Sequence, residues 1–141
     1  MSFCHALHKG VIMESSFQFT RPYLASLEFT LNSNFDGETN KEVKIGLNIS
    51  VNVSKSESVN EAVVSLLCEV GEKNDKCPFW VKAEESANFR WNSEIESEMA
   101  DKLLNQNAPA LLLSYLRTNI SQITSASLFG AYDIPFINFT K

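Results

Sequence analysis

Histidine and glycine are scarce in this sequence of 141 residues, and their scarcity limits its chemistry. The two histidines are His5 and His8, so catalytic triads and cysteine–histidine pairs are excluded from Lys9 onward. The five glycines include no G-x-G pattern, which excludes a glycine-rich phosphate-binding loop. We therefore expect neither an enzyme nor a cofactor.

Cysteine is also rare. Cys4, Cys68 and Cys77 form an odd set without the short spacings of metal sites, and we interpret them as reduced thiols in a cytoplasmic protein. A metal held by Cys4, His5 and His8 is the alternative, but a structural zinc site needs four ligands. We expect no metal and interpret this stretch as part of a tail.

The sequence has no run of about 20 apolar residues, so we expect no membrane-spanning helix. Its first residues have one lysine and no long apolar core, unlike a secretory signal. The net charge of −5 lacks the basic surplus that neutralises phosphates, so nucleic acid is not an expected partner. We expect one domain over residues 13–141. Residues 1–12 are expected as a disordered tail, with either Met1 or Met13 as the start.

Alternating hydrophobicity is abundant. In residues 43–54, VKIGLNISVNVS, every second position is apolar, which predicts a strand with one face on a core. Three further strands are predicted at 17–32, 61–70 and 77–91. Pro22 should bend the first of them, because proline donates no hydrogen bond. Strands with one face on the core and the other exposed to solvent are typical of an antiparallel sheet.

Two helices are predicted after the strands. Ser93 and Glu96 fit a capping box at the start of the first helix. The sequence NQNAP should end that helix, and Pro109 should begin a longer one that runs to about Leu128. Strands followed by helices indicate an α+β fold: a four-stranded antiparallel sheet with two C-terminal helices, one of them long, packed on one face.

The second helix and the segment after it resemble the SecB family of secretion chaperones. The resemblance rests on Pro109, the apolar run Leu111–Leu113, the step Tyr115-Leu116-Arg117 and the closing IPFINF of residues 134–139. It implies a SecB-like fold and a homo-oligomer, a dimer or tetramer joined largely through helices. Such an interface would explain the wide apolar arc of the helix. Its candidate residues are Leu111, Leu113, Tyr115 and Leu116.

The resemblance also implies a function: an ATP-independent holdase that binds non-native polypeptides, of the export type or associated with toxin–antitoxin modules. The alternative is a SecB-fold oligomeric interaction module with one dedicated protein partner and no general chaperone activity. Candidate client-binding residues are Phe35, Leu67, Trp80 and Phe129, each of which has core or loop packing as its alternative.

The resemblance does not extend to docking of the translocase motor SecA. Ser26, Thr30 and Lys82 stand where the family has acidic contact residues, and Trp80 stands where it has a leucine.

Overall fold

The computed structural model describes residues 3–4, 6–8, 11–13, 16–38, 43–127 and 129–140, with side chains described from residue 16. Eight strands occur in these ranges: β1 Phe3–Cys4, β2 Ala6–His8, β3 Val11–Met13, β4 Phe17–Thr20, β5 Tyr23–Leu31, β6 Leu47–Lys55, β7 Glu61–Gly71 and β8 Phe79–Trp91. β2 and β3 form a separate hairpin, while the other six form one antiparallel sheet.

The long strand β8 organises this sheet. It pairs with β7 on one side and with both β4 and β5 on the other, and β6 pairs with the far side of β7. β4 and β5 are the two halves of the predicted first strand, interrupted at Arg21 and Pro22. All four predicted strand regions are confirmed. The strand count differs because of this interruption and because β1, β2 and the first two residues of β3 lie in the stretch predicted as a tail. The proposed domain boundary at residue 13 stays a prediction.

One long helical stretch follows the sheet. It comprises α1 Ser97–Lys102, a π-helical turn Leu103–Asn107 and α2 Ala108–Ser125. The predicted break at NQNAP is wrong, because Asn107 (φ −78°, ψ −41°) stays in the helical region. The wider π turn changes the hydrogen-bond register ahead of Pro109, which then lies in the first turn of α2, where a missing N–H is tolerated. The predicted capping box is not formed, since Glu96 is the N-cap residue and no side chain caps the helix.

The core lies between α2 and one face of the sheet, which we call the inner face. Even-numbered residues of β7 and odd-numbered residues of β8 point into it, as alternation requires. Its largest fully buried apolar side chains are Phe89, Leu66, Leu104, Leu112, Leu116, Ile120 and Ile134. The opposite, outer face is free of helices in the described ranges. The α+β class, with helices on one face of an antiparallel sheet, is confirmed.

Residues 129–140 continue beyond α2 without regular secondary structure. The Tyr132 N–H donates a hydrogen bond to Thr124 Oγ1 over 2.7 Å, and Ile134 is fully buried. This segment therefore closes the core beside the helix. Within the described ranges, no helix is both long and apolar enough to cross a membrane.

Candidate functional site

Three leucines of β5 are exposed on the inner face of the sheet. Leu24, Leu27 and Leu31 are 37%, 40% and 44% exposed. Leu27 pairs with Ala83 and Leu31 with Phe79, both of which point into the core, so the leucines lie on the same face as α2. The helix packs on β7 and β8 and leaves this part of the face open. We call the three residues the leucine strip; it is about 23 Å long at 3.3 Å per residue.

The strip lies on an edge strand. Among the described strands, β5 pairs with β8 alone, so its other side presents unpaired backbone groups. The register shifts between Leu24 and Ser26, which marks a bulge near the start of the strand. An edge of nine residues with apolar side chains is a surface to which an extended chain can pair.

Two of the predicted client-binding residues contact each other near the end of β5. The rings of Phe35 and Phe129 meet edge to face, with centroids 5.3 Å apart and planes at 86°. Phe129 remains 45% exposed. Phe35 follows β5 and Phe129 follows α2, so the pair joins the loops that leave the sheet and the helix.

The other two predicted client-binding residues lie on the outer face. Leu67 is half-buried and stands between Ser50 and Glu84 in the sheet register. Trp80 is buried, and its Nε1–H donates a hydrogen bond to Glu69 Oε2 over 2.7 Å. The structure therefore brings Phe35 and Phe129 together but does not unite all four candidates in one groove.

The predicted interface residues of the long helix differ in exposure. Leu113 and Leu116 are buried in the core of the chain itself, Leu111 is half-buried, and Tyr115 is 38% exposed. Of this set, Tyr115 offers the largest free surface. Their role between subunits stays a prediction.

A carboxyl group is buried between α2 and the sheet. Glu85 points inward from β8, and Asn119 Nδ2 donates a hydrogen bond to its Oε1 over 3.0 Å. Burial raises the pKa of the Glu85 carboxyl, and the hydrogen bond from Asn119 lowers it by less. Our sequence reasoning did not predict that this residue is buried. Its parity with Ala83 and Ala87 was the signal that could have placed it inside.

Cys68 is a second buried titratable group of the inner face. Burial raises the pKa of its thiol to about 11, so the thiol is protonated at neutral pH. A protonated, buried thiol is not a nucleophile. The inner face therefore offers apolar contact rather than thiolate chemistry.

Comparison with known proteins connects this geometry to a family. The family model described as Preprotein translocase subunit SecB matches residues 13–141. Among solved structures, the chain is similar to a Mycobacterium tuberculosis SecB-like chaperone in complex with a ChAD peptide from the HigA1 antitoxin. The TM-score is 0.70 at 13% identity, over 86% of this chain and 91% of that one.

A second similar structure is a Streptococcus agalactiae protein of unknown function. Its TM-score is 0.47 at 13% identity, over 85% of this chain and 97% of that one. No curated protein matches the chain in sequence. At these identities the mycobacterial structure shows a shared fold.

Proposed function

Because the chain belongs to the SecB family, we propose that it is an ATP-independent holdase that binds non-native polypeptides in extended form. SecB family members are chaperones and not enzymes. The exposed leucine strip on an open edge strand is the observation that carries this proposal. It combines apolar side chains with backbone groups that pair without regard to sequence.

The energetics of the strip suit reversible capture. Complete burial of a leucine is worth roughly 1.5–3 kcal/mol, so covering the exposed part of each strip leucine contributes about 1 kcal/mol. Backbone pairing along the β5 edge adds affinity that does not depend on the client's side chains. Several weak contacts along one strand allow a chain to bind and leave without ATP.

The proposed clients are export-type or toxin–antitoxin-associated polypeptides. The mycobacterial SecB-like chaperone holds a peptide from an antitoxin, which supports polypeptide binding by this fold. SecA docking is not part of the proposed function. On the outer face Ser26 and Thr30 flank the single acid Glu28, which pairs in register with the basic Lys82.

We further propose a homo-oligomer that acts in the cytoplasm and whose subunits meet through α2. Tyr115 and the half-buried Leu111 would provide its apolar surface, while Leu113 and Leu116 would support them from the core. Ser114, Tyr115, Thr118 and Asn119 line a shallow depression on this side of the helix, where a second copy could insert side chains.

Aggregation suppression tests the proposed function. A chemically unfolded client is diluted with and without stoichiometric amounts of the protein, and light scattering is followed without nucleotide. We expect scattering to fall and a complex to survive gel filtration. Unchanged scattering with a folded protein would contradict the holdase and favour the alternative, a module with one dedicated partner.

A further inference from the structure

A depression on the outer face lies over the indole of Trp80. Gly71 stands opposite Trp80 in the register of β7 and β8, and its N–H donates to Gly46 O over 2.9 Å. Gly46 lines the same depression as Trp80, and a methyl group built on Gly46 would meet nothing within 4 Å, so the depression is open at that position. Asn48 and Glu69 line the same depression. We call this site the Trp80 pocket.

The indole is fixed in place from its edge. The hydrogen bond from its Nε1–H to Glu69 Oε2, over 2.7 Å, satisfies its one polar group. Glu69 is half-buried on β7, so this bond ties the ring to the neighbouring strand. The ring therefore presents its π-face in a defined orientation, as recognition of a cation requires.

A cation from the same chain already occupies that face. Lys73 Nζ lies 4.1 Å from the centroid of the Trp80 ring. Among the described residues, no carboxylate forms an ion pair with Lys73 within 4.0 Å. Lys73 is exposed and belongs to the turn between β7 and β8. A contact of this kind at an exposed position is weak enough to be displaced.

We propose that the Trp80 pocket receives an arginine side chain of the bound polypeptide, which displaces Lys73. This inference rests on the proposed polypeptide-binding function and names a side chain that it recognises. A guanidinium is planar, so it can stack on the indole and reach Glu69 at the same time, whereas an ammonium is a point charge. Glu69 and Glu72 give the pocket a negative surround once Lys73 has swung away.

Matched peptides test the inference. One extended peptide carries a single arginine, and its twin carries citrulline, which has the same shape without the charge. Affinities come from fluorescence anisotropy, and the indole N–H resonances of Trp80 and Trp91 report the site by NMR. We expect the arginine peptide to bind more tightly and to shift the Trp80 resonance alone.

Two variants should move the affinity in opposite directions. Lys73→Met removes the internal competitor and should tighten binding of the arginine peptide about two- to fivefold, the worth of an exposed cation–π contact. Glu69→Gln keeps an acceptor for the indole N–H but removes the charge, and it should weaken binding of that peptide. Neither variant should change binding of the citrulline peptide. Opposite shifts in two folded variants cannot arise from unfolding.

Equal affinity for the two peptides would overturn the inference, as would unchanged or weaker binding of the arginine peptide by Lys73→Met. The experiments also distinguish failure of the proposed chaperone function from failure of the pocket assignment. If a client without arginine is kept from aggregating while the peptides bind equally, the pocket assignment falls and the holdase stands. If no client is protected but the arginine peptide still shifts Trp80, the holdase falls and the pocket stands.

Discussion

Asn119 on α2 donates a hydrogen bond to the carboxyl group of Glu85 on β8, across 3.0 Å. Glu85 is 1% exposed and lies among apolar neighbours on the inner face. A polar contact thus joins the helix to the sheet inside an otherwise apolar core. Its strength depends on the protonation state of Glu85.

We predict that Glu85 makes the protein less stable as pH rises. Burial raises the pKa of this carboxyl above its ordinary value of 4.5, so the folded state keeps the proton over a range where the unfolded chain has lost it. The stabilisation is complete below the ordinary pKa and is lost as pH rises through the raised one. Urea unfolding from about pH 4 to about pH 9 measures this slope.

Glu85→Gln should flatten the slope and be at least as stable as the wild type at about pH 8, because a neutral amide still accepts from Asn119. Glu84→Gln is the matched control, because the Glu84 side chain, next in the sequence, lies half-buried on the outer face. Asn119→Ala should cost about 1–3 kcal/mol by leaving a buried acceptor without a partner. An unchanged slope in Glu85→Gln would contradict the assignment.

Gly71 should tolerate no side chain. Its φ is +75°, and a methyl group there would lie 2.3 Å from the Phe79 carbonyl oxygen. We expect Gly71→Ala to lower the free energy of unfolding by at least about 2 kcal/mol. Gly46→Ala is the control, because open space surrounds that position, and it should change stability by less than about 1 kcal/mol. If chemical unfolding shows the same loss of unfolding free energy in Gly71→Ala and Gly46→Ala, this prediction is wrong.

The strands were predictable because their periodicity is local. Residues 43–54 alternate without a break, and Pro22 marks the interruption between β4 and β5. The continuous helix was not predictable from NQNAP, because a π turn depends on how Leu104 and Ala108 pack against the sheet. Local propensity around Pro109 gave the opposite answer.

The exposure of the leucine strip was not predicted, because it depends on how many strands one helix can cover. Leu27 and Leu31 share the parity of core residues, so their pattern predicts burial. A helix about 10 Å wide covers roughly two strands spaced about 4.8 Å apart. α2 lies mainly on β7 and β8, and the leucines of β5 remain partly exposed. Parity identifies the face of a sheet, but only the position of the helix decides which strands it shields.

The candidate site shows the same limit. Phe35 and Phe129 could be selected as aromatic residues of loops, but their contact depends on where both loops end in space. Leu116 could be assigned to an apolar arc but not to one side of it, and the structure places it in the core. Residue type suggested what these side chains do, and tertiary packing determined where they are available.

The leucine strip should be required for client capture. Replacing Leu24, Leu27 and Leu31 with serine should at least halve the suppression of aggregation, because about 3 kcal/mol of apolar contact is removed. Stability should also fall, by roughly 1–2 kcal/mol per site, because more than half of each side chain is already buried, so scattering is followed under conditions where thermal unfolding shows the variant folded. Scattering assays and thermal unfolding measure the two effects.

A control for the strip replaces Val59 and Met99 with serine. These residues are 52% and 50% exposed, and they lie in the β6–β7 turn and in α1, away from β5. Their loss removes comparable exposed apolar surface without touching the edge strand. If the strip variant and this control lose the same amount of aggregation suppression, general surface hydrophobicity, and not the strip, holds the client.

Tyr115 and Leu116 are adjacent in α2, but we expect substitutions at the two positions to affect different properties, subunit association at Tyr115 and stability at Leu116. Leu116 is fully buried, so Leu116→Ala should lower the free energy of unfolding by roughly 2–5 kcal/mol. Tyr115 is 38% exposed, so Tyr115→Ser should cost less stability than Leu116→Ala but should weaken subunit association if α2 forms the interface. Light scattering coupled to gel filtration over a range of concentrations gives the mass, and thermal unfolding gives the stability. A wild-type monomer at every concentration, or a Tyr115→Ser variant of wild-type mass, would rule out the helix-mediated oligomer while leaving the Leu116 prediction intact.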